Sequence, residues 1–399
     1  MKIAINLLPV VPGRAGGQEV YARGIVQGLL ELDDLRHEVV LLTNQFNHDS
    51  WTEAPGITRH MVQVAGGGTF GRVWTEQRGL PRVLTTLGID VVHSLAGAAV
   101  LMANCPNVVT IHDLLYLHDV TPFSAAQLWY RRLLVPHSAR LAAHVVADSE
   151  FTRRDLIDRL HVPAAKVSTV PLGVGAWFRR LARATATGAR WVAQRDRYRI
   201  REPFLFYVGT LSSHKNIEGL LRAVGRAASR GVHFDVVLAG PGQTPERIAQ
   251  LRRVADEAGV AERLRPVGYV DVEDLVLFFN NAALHVLPSR FEGFGLTVIE
   301  AFACGCPVVA SRRASIPELA GDAALLVDPD DIPAMADAIC RIAQDAQLAA
   351  RLRAAGLRRA TRWTWMAAAQ QLVEIYERCG AAGRRCAPRT RRKGALIST

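Results

Sequence analysis

Short β-rich apolar runs alternate with stretches of helical periodicity along most of this chain, and that alternation dictates its fold class. Parallel strands cannot be joined by tight turns and need crossover connections, so repeated strand–helix–strand units build parallel, doubly wound sheets. A first set of strand-like runs covers residues 2–8, 38–43, 91–93, 108–111 and 144–147. The segment 18–32 between them reads as a helix with Val20, Ile25, Leu29 and Leu30 on one face. A second set covers 204–209, 234–240, 284–287, 307–310 and 324–327, with helical pattern at 216–229 and 245–258. Between the sets, 173–201 is Arg-rich and lacks strand character. The expectation is an α/β chain of two Rossmann-like doubly wound domains facing each other across a cleft. Residues 1–175 and 201–362 form the domains, 176–200 a linker, 363–380 a last helix, and 381–399 a disordered basic tail. A length of 399 residues suits two domains.

Composition narrows the function classes. With 49% hydrophobic and 21% charged residues the chain can bury large cores, which excludes disorder. No apolar run reaches the ~18 residues of a membrane span. The opening MKIAINLLPVV leads into a Gly-rich segment rather than a small-residue cleavage site, so it reads as a first strand and not a signal peptide. The six cysteines follow no CxxC spacing, which points to a reducing cytoplasm and no metal site. The net charge of +11 suggests nucleic acid at first sight, but six of the basic side chains lie in residues 384–399, which hold no acid. The remaining +5 is thinly spread over the rest of the chain. The tail suits an anionic surface, such as a membrane, better than DNA or RNA.

Three segments carry chemistry, and a fourth supports them. Arg290-Phe-Glu-Gly-Phe-Gly-Leu-Thr-Val-Ile-Glu300 reads as a loop bearing Glu292, then a helix starting near Leu296 with Glu300 about one turn inside. A carboxylate suits a vicinal diol because its oxygens accept two hydroxyl hydrogens. One Glu would hold a ribose and the other a sugar, with the Gly-Phe-Gly amides at phosphate or sugar oxygens. Gly209-Thr-Leu-Ser-Ser-His-Lys-Asn216 follows a strand, placing Lys215 at the carboxyl edge of the sheet, where a cation neutralises a departing diphosphate. Thr110-Ile-His-Asp113 places His112 at another strand end, with Asp113 to orient it or cap a helix. His93 is a weaker candidate of the same kind. The Gly-rich loop 12–17 precedes the first helix, so Gly16 and Gly17 would let backbone N–H groups approach a phosphate. The loop is not GxGxxG, which disfavours a dinucleotide fold.

The stretch from Glu292 to Glu300, with Ala301-Phe-Ala-Cys-Gly-Cys-Pro-Val-Val309 after it, resembles the EGFGL…E-A…G-PV signature of the retaining, nucleotide-sugar-dependent glycosyltransferases of family 4 (glycosyl transferases group 1), which have the GT-B fold. Further matches follow in order: Gly16-Gly17 through Tyr21, Ile111-His112-Asp113, Ser149-Glu-Phe-Thr-Arg153, Val170-Pro-Leu-Gly-Val174, Tyr207-Val-Gly-Thr210 with Lys215-Asn216, and Pro317-Glu318. The resemblance spans roughly residues 1–375.

The resemblance implies roles by position. Glu300 would bind the nucleotide ribose and Glu292 the hydroxyls of the transferred sugar. Phe294, Gly295, Leu296 and Thr297 would offer amides or a hydroxyl to sugar and diphosphate. Lys215 would contact the diphosphate, with Gly209 and Thr210 beside it and Gly17 approaching from the other domain. His112 would lie beside the sugar, and the last helix would cross back to the N-terminal domain. Family members usually carry an Arg near Lys215, where this chain has Thr210 and His214, so His214 or Arg290 is expected as the second cation.

The implied reaction transfers a hexose with retention, the leaving phosphate taking the acceptor's proton. No metal and no other cofactor are expected, because the adjacent acids Asp33-Asp34, Asp330-Asp331, Asp256-Glu257 and Glu273-Asp274 read as solvated surface. The Val-Gly-Thr and Lys-Asn forms resemble mannosyl-type members, which makes GDP-mannose the first expectation for the donor. UDP-glucose, UDP-N-acetylglucosamine and dTDP-rhamnose stay open. The acceptor would be a glycan or a lipid-linked sugar, and the tail would give peripheral membrane contact. The readings of another class are a non-catalytic sugar-nucleotide sensor and an anionic-surface binding protein.

Overall fold

A computed structural model describes residues 1–12, 16–66, 68–118 and 123–386, apart from the side chains of 68–70, 126, 184 and 384–386. The Gly-rich loop therefore falls partly, and the basic tail almost wholly, outside the described residues. In the N-terminal part, β1 (Lys2–Asn6), β2 (Glu38–Thr43), β3 (Ile57–Met61), β4 (Val91–Ser94), β5 (Asn107–Ile111), β6 (His144–Ala147) and β7 (Val167–Thr169) form one sheet. Its order is β3-β2-β1-β4-β5-β6-β7, and every pairing is parallel. The second sheet contains β8 (Phe204–Val208), β9 (Asp235–Ala239), β10 (Leu264–Gly268), β11 (Leu284–Leu287), β12 (Val308–Ser311) and β13 (Ala324–Val327). Its order, β10-β9-β8-β11-β12-β13, is again all parallel.

Both sheets reverse their winding, between β1 and β4 in one and between β8 and β11 in the other. In open α/β sheets ligands bind outside the carboxyl ends of the strands at such a point. The central strands are buried on both faces, which is why they read as continuous apolar runs rather than alternating ones. Among the described residues no helix is long and apolar enough to cross a membrane.

The structure corrects three expectations. The 173–201 segment is not a bare linker. It forms helices Arg183–Ala186 and Ala189–Arg197, and Trp191, 2% exposed, stacks on Phe204 at 5.5 Å and meets Phe278 edge-on. One buried indole is enough to fasten a short helix that composition alone leaves unassigned. Second, the acid pairs are not simply solvated. Asp274 is buried, accepting hydrogen bonds from Arg190 and Gln194, while Asp330 pairs with Arg290 and Arg313. Third, the last helix runs over Trp365–Cys386, beyond residue 380.

That helix packs on the Gly17–Leu30 helix of the N-terminal domain. Trp365, Ala369, Leu372 and Ile375 are all buried there. The helices approach so closely that a Cβ at Gly24 would stand 2.1 Å from Trp365 Cε2, so glycine is required. Tyr376 adds a polar tie, its hydroxyl 2.7 Å from His93 Nδ1, while His93 Nε2 is 2.8 Å from Thr110 Oγ1. Burial pushes the His93 pKa down to about 3, with the neighbouring His112 acting in the same direction. His93 is therefore a neutral packing residue under the sheet.

Candidate functional site

The carboxyl ends of the two sheets enclose a cavity of about 380 Å³. From the N-terminal domain it takes Gly16, Gly17 and Gln18 at the start of the Gly17–Leu30 helix, His112 and Asp113 after β5, and Asp148 after β6. From the C-terminal domain it takes Gly209 and Thr210 after β8, Pro241 after β9, Lys215, and the run Glu292, Gly293, Phe294, Gly295, Leu296, Thr297 after β11. Residues nearly 280 positions apart thus converge because each follows a strand whose end faces the cleft.

Lys215 closes a short 3-10 turn and reaches Glu292, its Nζ 2.7 Å from Oε1 and 2.9 Å from Oε2. Ser289 Oγ also donates to Glu292 Oε1, at 2.7 Å. Burial alone would raise the Glu292 pKa, but the Lys215 charge and these hydrogen bonds hold it below the ordinary glutamate value. The carboxylate is therefore ionised, and the cation and anion expected at opposite ends of a donor neutralise one another.

The loop between them is shaped by contact across the cleft. A Cβ at Gly293 would lie 2.3 Å from the His112 carbonyl oxygen, so only glycine fits. The Gly293 carbonyl accepts from Ser149 Oγ at 2.6 Å and Thr152 Oγ1 at 3.3 Å. Gly295 takes φ +107°, a conformation that favours glycine, and turns the chain into the Leu296–Ala303 helix. The first N–H groups of that helix lack intrahelical partners and lie at the cavity wall. Phe294 is buried, edge-on to Trp363, and its carbonyl accepts from Ser315 Oγ at 2.8 Å. Nearby, Glu318 accepts hydrogen bonds from the N–H groups of Glu150 and Phe151, at the start of the Glu150–Leu160 helix in the opposite domain.

His112 lines the cavity with both ring nitrogens engaged, Nδ1 2.7 Å from Asp148 Oδ2 and Nε2 2.9 Å from the Leu95 carbonyl oxygen. A carbonyl only accepts, so Nε2 carries a proton and the second proton lies on the line to Asp148. Burial opposes charge on the ring, but Asp148 outweighs it and raises the His112 pKa above the ordinary histidine value. Tyr21 stands edge-on to the ring at 4.9 Å.

Two expected cations are not where they would be needed. Burial, with Lys215 beside it, pushes the His214 pKa down to about 4, so His214 is neutral. Arg290 does not line the cavity; its Nε donates to Asp330 at 2.7 Å and its guanidinium to the Ser213 carbonyl. Glu300 also lies outside the cavity lining, one turn behind Thr297, with 8% exposure. Burial alone pushes its pKa up to about 7.

Residue-by-residue reading missed Asp148, Ser149 and Thr152 as site residues. The signal that found His112, a polar residue directly after a buried strand of the first sheet, also applies to Asp148 after β6.

Comparison with known proteins follows the same two-domain division. Residues 15–176 match the family model described as Glycosyltransferase Family 4, and residues 202–345 match the model described as Glycosyl transferases group 1. The chain is 29% identical over 270 residues to the O-antigen chain mannosyltransferase B of Escherichia coli, covering 65% of this chain and 68% of that protein. It is 29% identical over 282 residues to the alpha-D-kanosaminyltransferase of Streptomyces kanamyceticus, covering 69% of this chain and 71% of that one. Among solved structures, the sucrose-phosphate synthase of Thermosynechococcus elongatus superposes with a TM-score of 0.76 at 25% identity, over 96% of this chain and 100% of that one. With two parallel doubly wound sheets, a strand-end cavity between them and a family model matching each domain, the chain belongs to the family 4 glycosyltransferases (glycosyl transferases group 1) of GT-B fold.

Proposed function

We propose that this glycosyltransferase moves a hexose, mannose from GDP-mannose in the first instance, with retention and without a metal, to a glycan or lipid-linked acceptor of a cell-surface polysaccharide. The observation that carries this reading is the Lys215–Glu292 pair, buried at the strand ends of one domain and facing Gly17 and His112 of the other. A sugar nucleotide separates that pair. Its diphosphate takes Lys215, the helix-start N–H groups at Leu296 and Thr297, and the backbone at Gly17. Its sugar hydroxyls take the Glu292 carboxylate.

Charge then develops on the leaving diphosphate in a site where donors are already aimed, and such preorganisation is the main means by which protein dipoles and cations accelerate transfer. Among the described residues of the cavity, the Asp148 carboxylate is held by His112, Asp113 accepts from the Leu115 N–H, and Glu292, once parted from Lys215, is given to the sugar hydroxyls, which leaves no acid assigned to attack the anomeric carbon. That supports same-face attack, with the departing phosphate taking the acceptor's proton. The same commitment of the acids supports work without a divalent ion. Glu300, one turn behind the cavity wall, holds the ribose once a nucleotide extends past Thr297.

The mannosyl reading of the donor rests on the Tyr207-Val-Gly-Thr210 and Lys215-Asn216 forms and on likeness to a mannosyltransferase at 29% identity. The protein works in the cytoplasm, with residues 384–399 touching an anionic membrane. Thermal melting against GDP-mannose, UDP-glucose, UDP-N-acetylglucosamine and dTDP-rhamnose tests the donor. A true donor at ~100 times its Kd stabilises by about 2.7 kcal/mol. A shift with a UDP- or dTDP-sugar and none with GDP-mannose rejects the mannosyl reading, and binding without turnover favours a sensor.

A further inference from the structure

We infer that the outward face of the Ala125–Leu141 helix is a docking surface for an anionic lipid bilayer. An ordinary surface helix turns its apolar stripe inward and its charges outward. This one buries Val135, Ser138 and Ala139 against the N-terminal domain, yet its outer stripe is also apolar. Trp129, Leu133, His137 and Leu141 follow one another at intervals of four residues, with Arg132 and Arg140 next to Leu133 and Leu141, and all six are exposed. Trp129 is 69%, Leu133 54% and Leu141 56% exposed, so three large apolar side chains stand in water on a single ridge.

The occupant follows from charge. Residues 125–141 contain Arg131, Arg132 and Arg140 and no acidic residue. At the C-terminal end Lys166 Nζ donates to the Arg140 carbonyl at 2.5 Å and adds a further cation. Apolar and aromatic side chains interleaved with arginine, with no anion among them, match the interface of an anionic bilayer, where rings sit at headgroup depth and guanidinium groups meet phosphate. Ser138 Oγ accepts from the Ala99 N–H, and Gln77 bonds the Ala99 carbonyl and the Leu101 N–H, strapping the helix to the 75–79 turn. Beside that strap Met102 is 64% exposed, as is Trp74 at 53%, with Arg78 over its ring.

Position gives the surface a use. His118, which precedes the helix, packs its ring 4.6 Å from that of Phe291, the neighbour of Glu292. The helix leads from the carboxyl end of β5, which faces the cleft, back to the start of the parallel strand β6, so its Trp129 end is the end nearer the cleft mouth. A helix of this length lies about 25 Å along a membrane plane and would hold the cleft where a lipid-linked acceptor presents its sugar. Only that last use rests on the glycosyltransferase reading; the docking itself does not. The surface is also distinct from residues 384–399.

Full-length protein is sedimented with vesicles of phosphatidylcholine containing phosphatidylglycerol, and with phosphatidylcholine alone. Two double variants, Trp129→Ser with Leu133→Ser and Arg132→Gln with Arg140→Gln, are compared with a chain lacking residues 384–399. The wild type is expected to bind the anionic vesicles alone, and the tail deletion to retain salt-sensitive binding. The arginine pair variant should bind on the order of thirtyfold more weakly, about fivefold for each basic residue removed. Both double variants should melt at the wild-type temperature and transfer sugar to a soluble acceptor analogue at the wild-type rate. Wild-type vesicle binding by both double variants would overturn the inference. So would loss of binding with the tail alone, or self-association of the wild type that the Trp129/Leu133 variant abolishes while vesicle binding persists. Absence of transfer with every donor would instead reject the enzymatic reading and leave the vesicle result standing.

Discussion

Lys215 and Glu292 neutralise one another at 2.7 Å with only 18% and 12% of their side chains exposed, so removing either leaves a charge in a place built for two. Truncating one partner of a buried pair costs about 3–5 kcal/mol. Lys215→Met should accordingly lower stability by about that amount and abolish transfer, whereas Glu292→Gln keeps a hydrogen-bond acceptor for Lys215 and should be milder in a melt. In kinetics the Glu292→Gln variant should lose chiefly kcat, because the proposed function sets the carboxylate at the sugar as positive charge builds there. Glu300 behaves differently. Its pKa, pushed up to about 7 by burial from an ordinary 4.5, makes the folded state hold a proton that the unfolded chain releases. Stability therefore falls as pH rises from about 4.5 to 7, by roughly 3 kcal/mol in total. Glu300→Gln should stabilise the ligand-free protein at pH 8, flatten that slope in denaturant titrations, and raise the donor KM. A variant that gains no stability at pH 8 contradicts the burial-raised pKa, and one that binds donor normally contradicts the ribose assignment. The cost in stability is what a functional carboxyl held ready for a ligand is expected to show.

At the scale of elements, the last helix is the clearest case of packing outweighing local preference. Trp365 fills the groove opened by Gly24 on the Gly17–Leu30 helix and stands 6.2 Å edge-on from Tyr21, whose ring in turn borders His112. Trp365→Ala should cost about 3–5 kcal/mol and also lower transfer, since the chain of rings ends at the cavity; calorimetry and a donor KM measured on the same sample check both. The helix was legible as far as residue 380 because its apolar spacing is helical, while the turn beyond it was read as tail. The strands that escaped sequence reading, β3, β7 and β10, share a different trait: all three are sheet edges. An edge strand is half solvated and mixes polar residues into its run, as in Ile57–Met61, or tolerates a proline, as at Pro266 of β10. The fourth edge, β13, was legible because Ala324–Val327 is wholly apolar, so it is the polar or proline-bearing margin of a parallel sheet that periodicity loses.

At the scale of the whole molecule, the closed arrangement is held by contacts that no single domain contains: Ser149 and Thr152 on the Gly293 carbonyl, and Glu318 on the first N–H groups of the Glu150–Leu160 helix. Transfer should persist in EDTA at the rate seen with magnesium, because His112 and the Leu115 N–H hold two of the cavity acids and the proposed function gives the third, Glu292, to the sugar; activity lost with the chelator and restored by magnesium or manganese would overturn the metal-free reading. The sequence by itself determined the fold class, since alternating strand and helix periods admit only parallel sheets, and it located Gly17, His112, Lys215 and the 292–297 run, because each follows a strand and strand ends in such sheets face the ligand. Only the tertiary structure decided which of the candidate charges are neutral and which are paired. Neutral His214, the Arg290–Asp330 pair and the engagement of His112 by Asp148 depend on burial and on partners 36 to 77 positions away or on other elements. Desolvation and pairing are properties of three-dimensional neighbourhoods, and a linear pattern of residue types does not contain them.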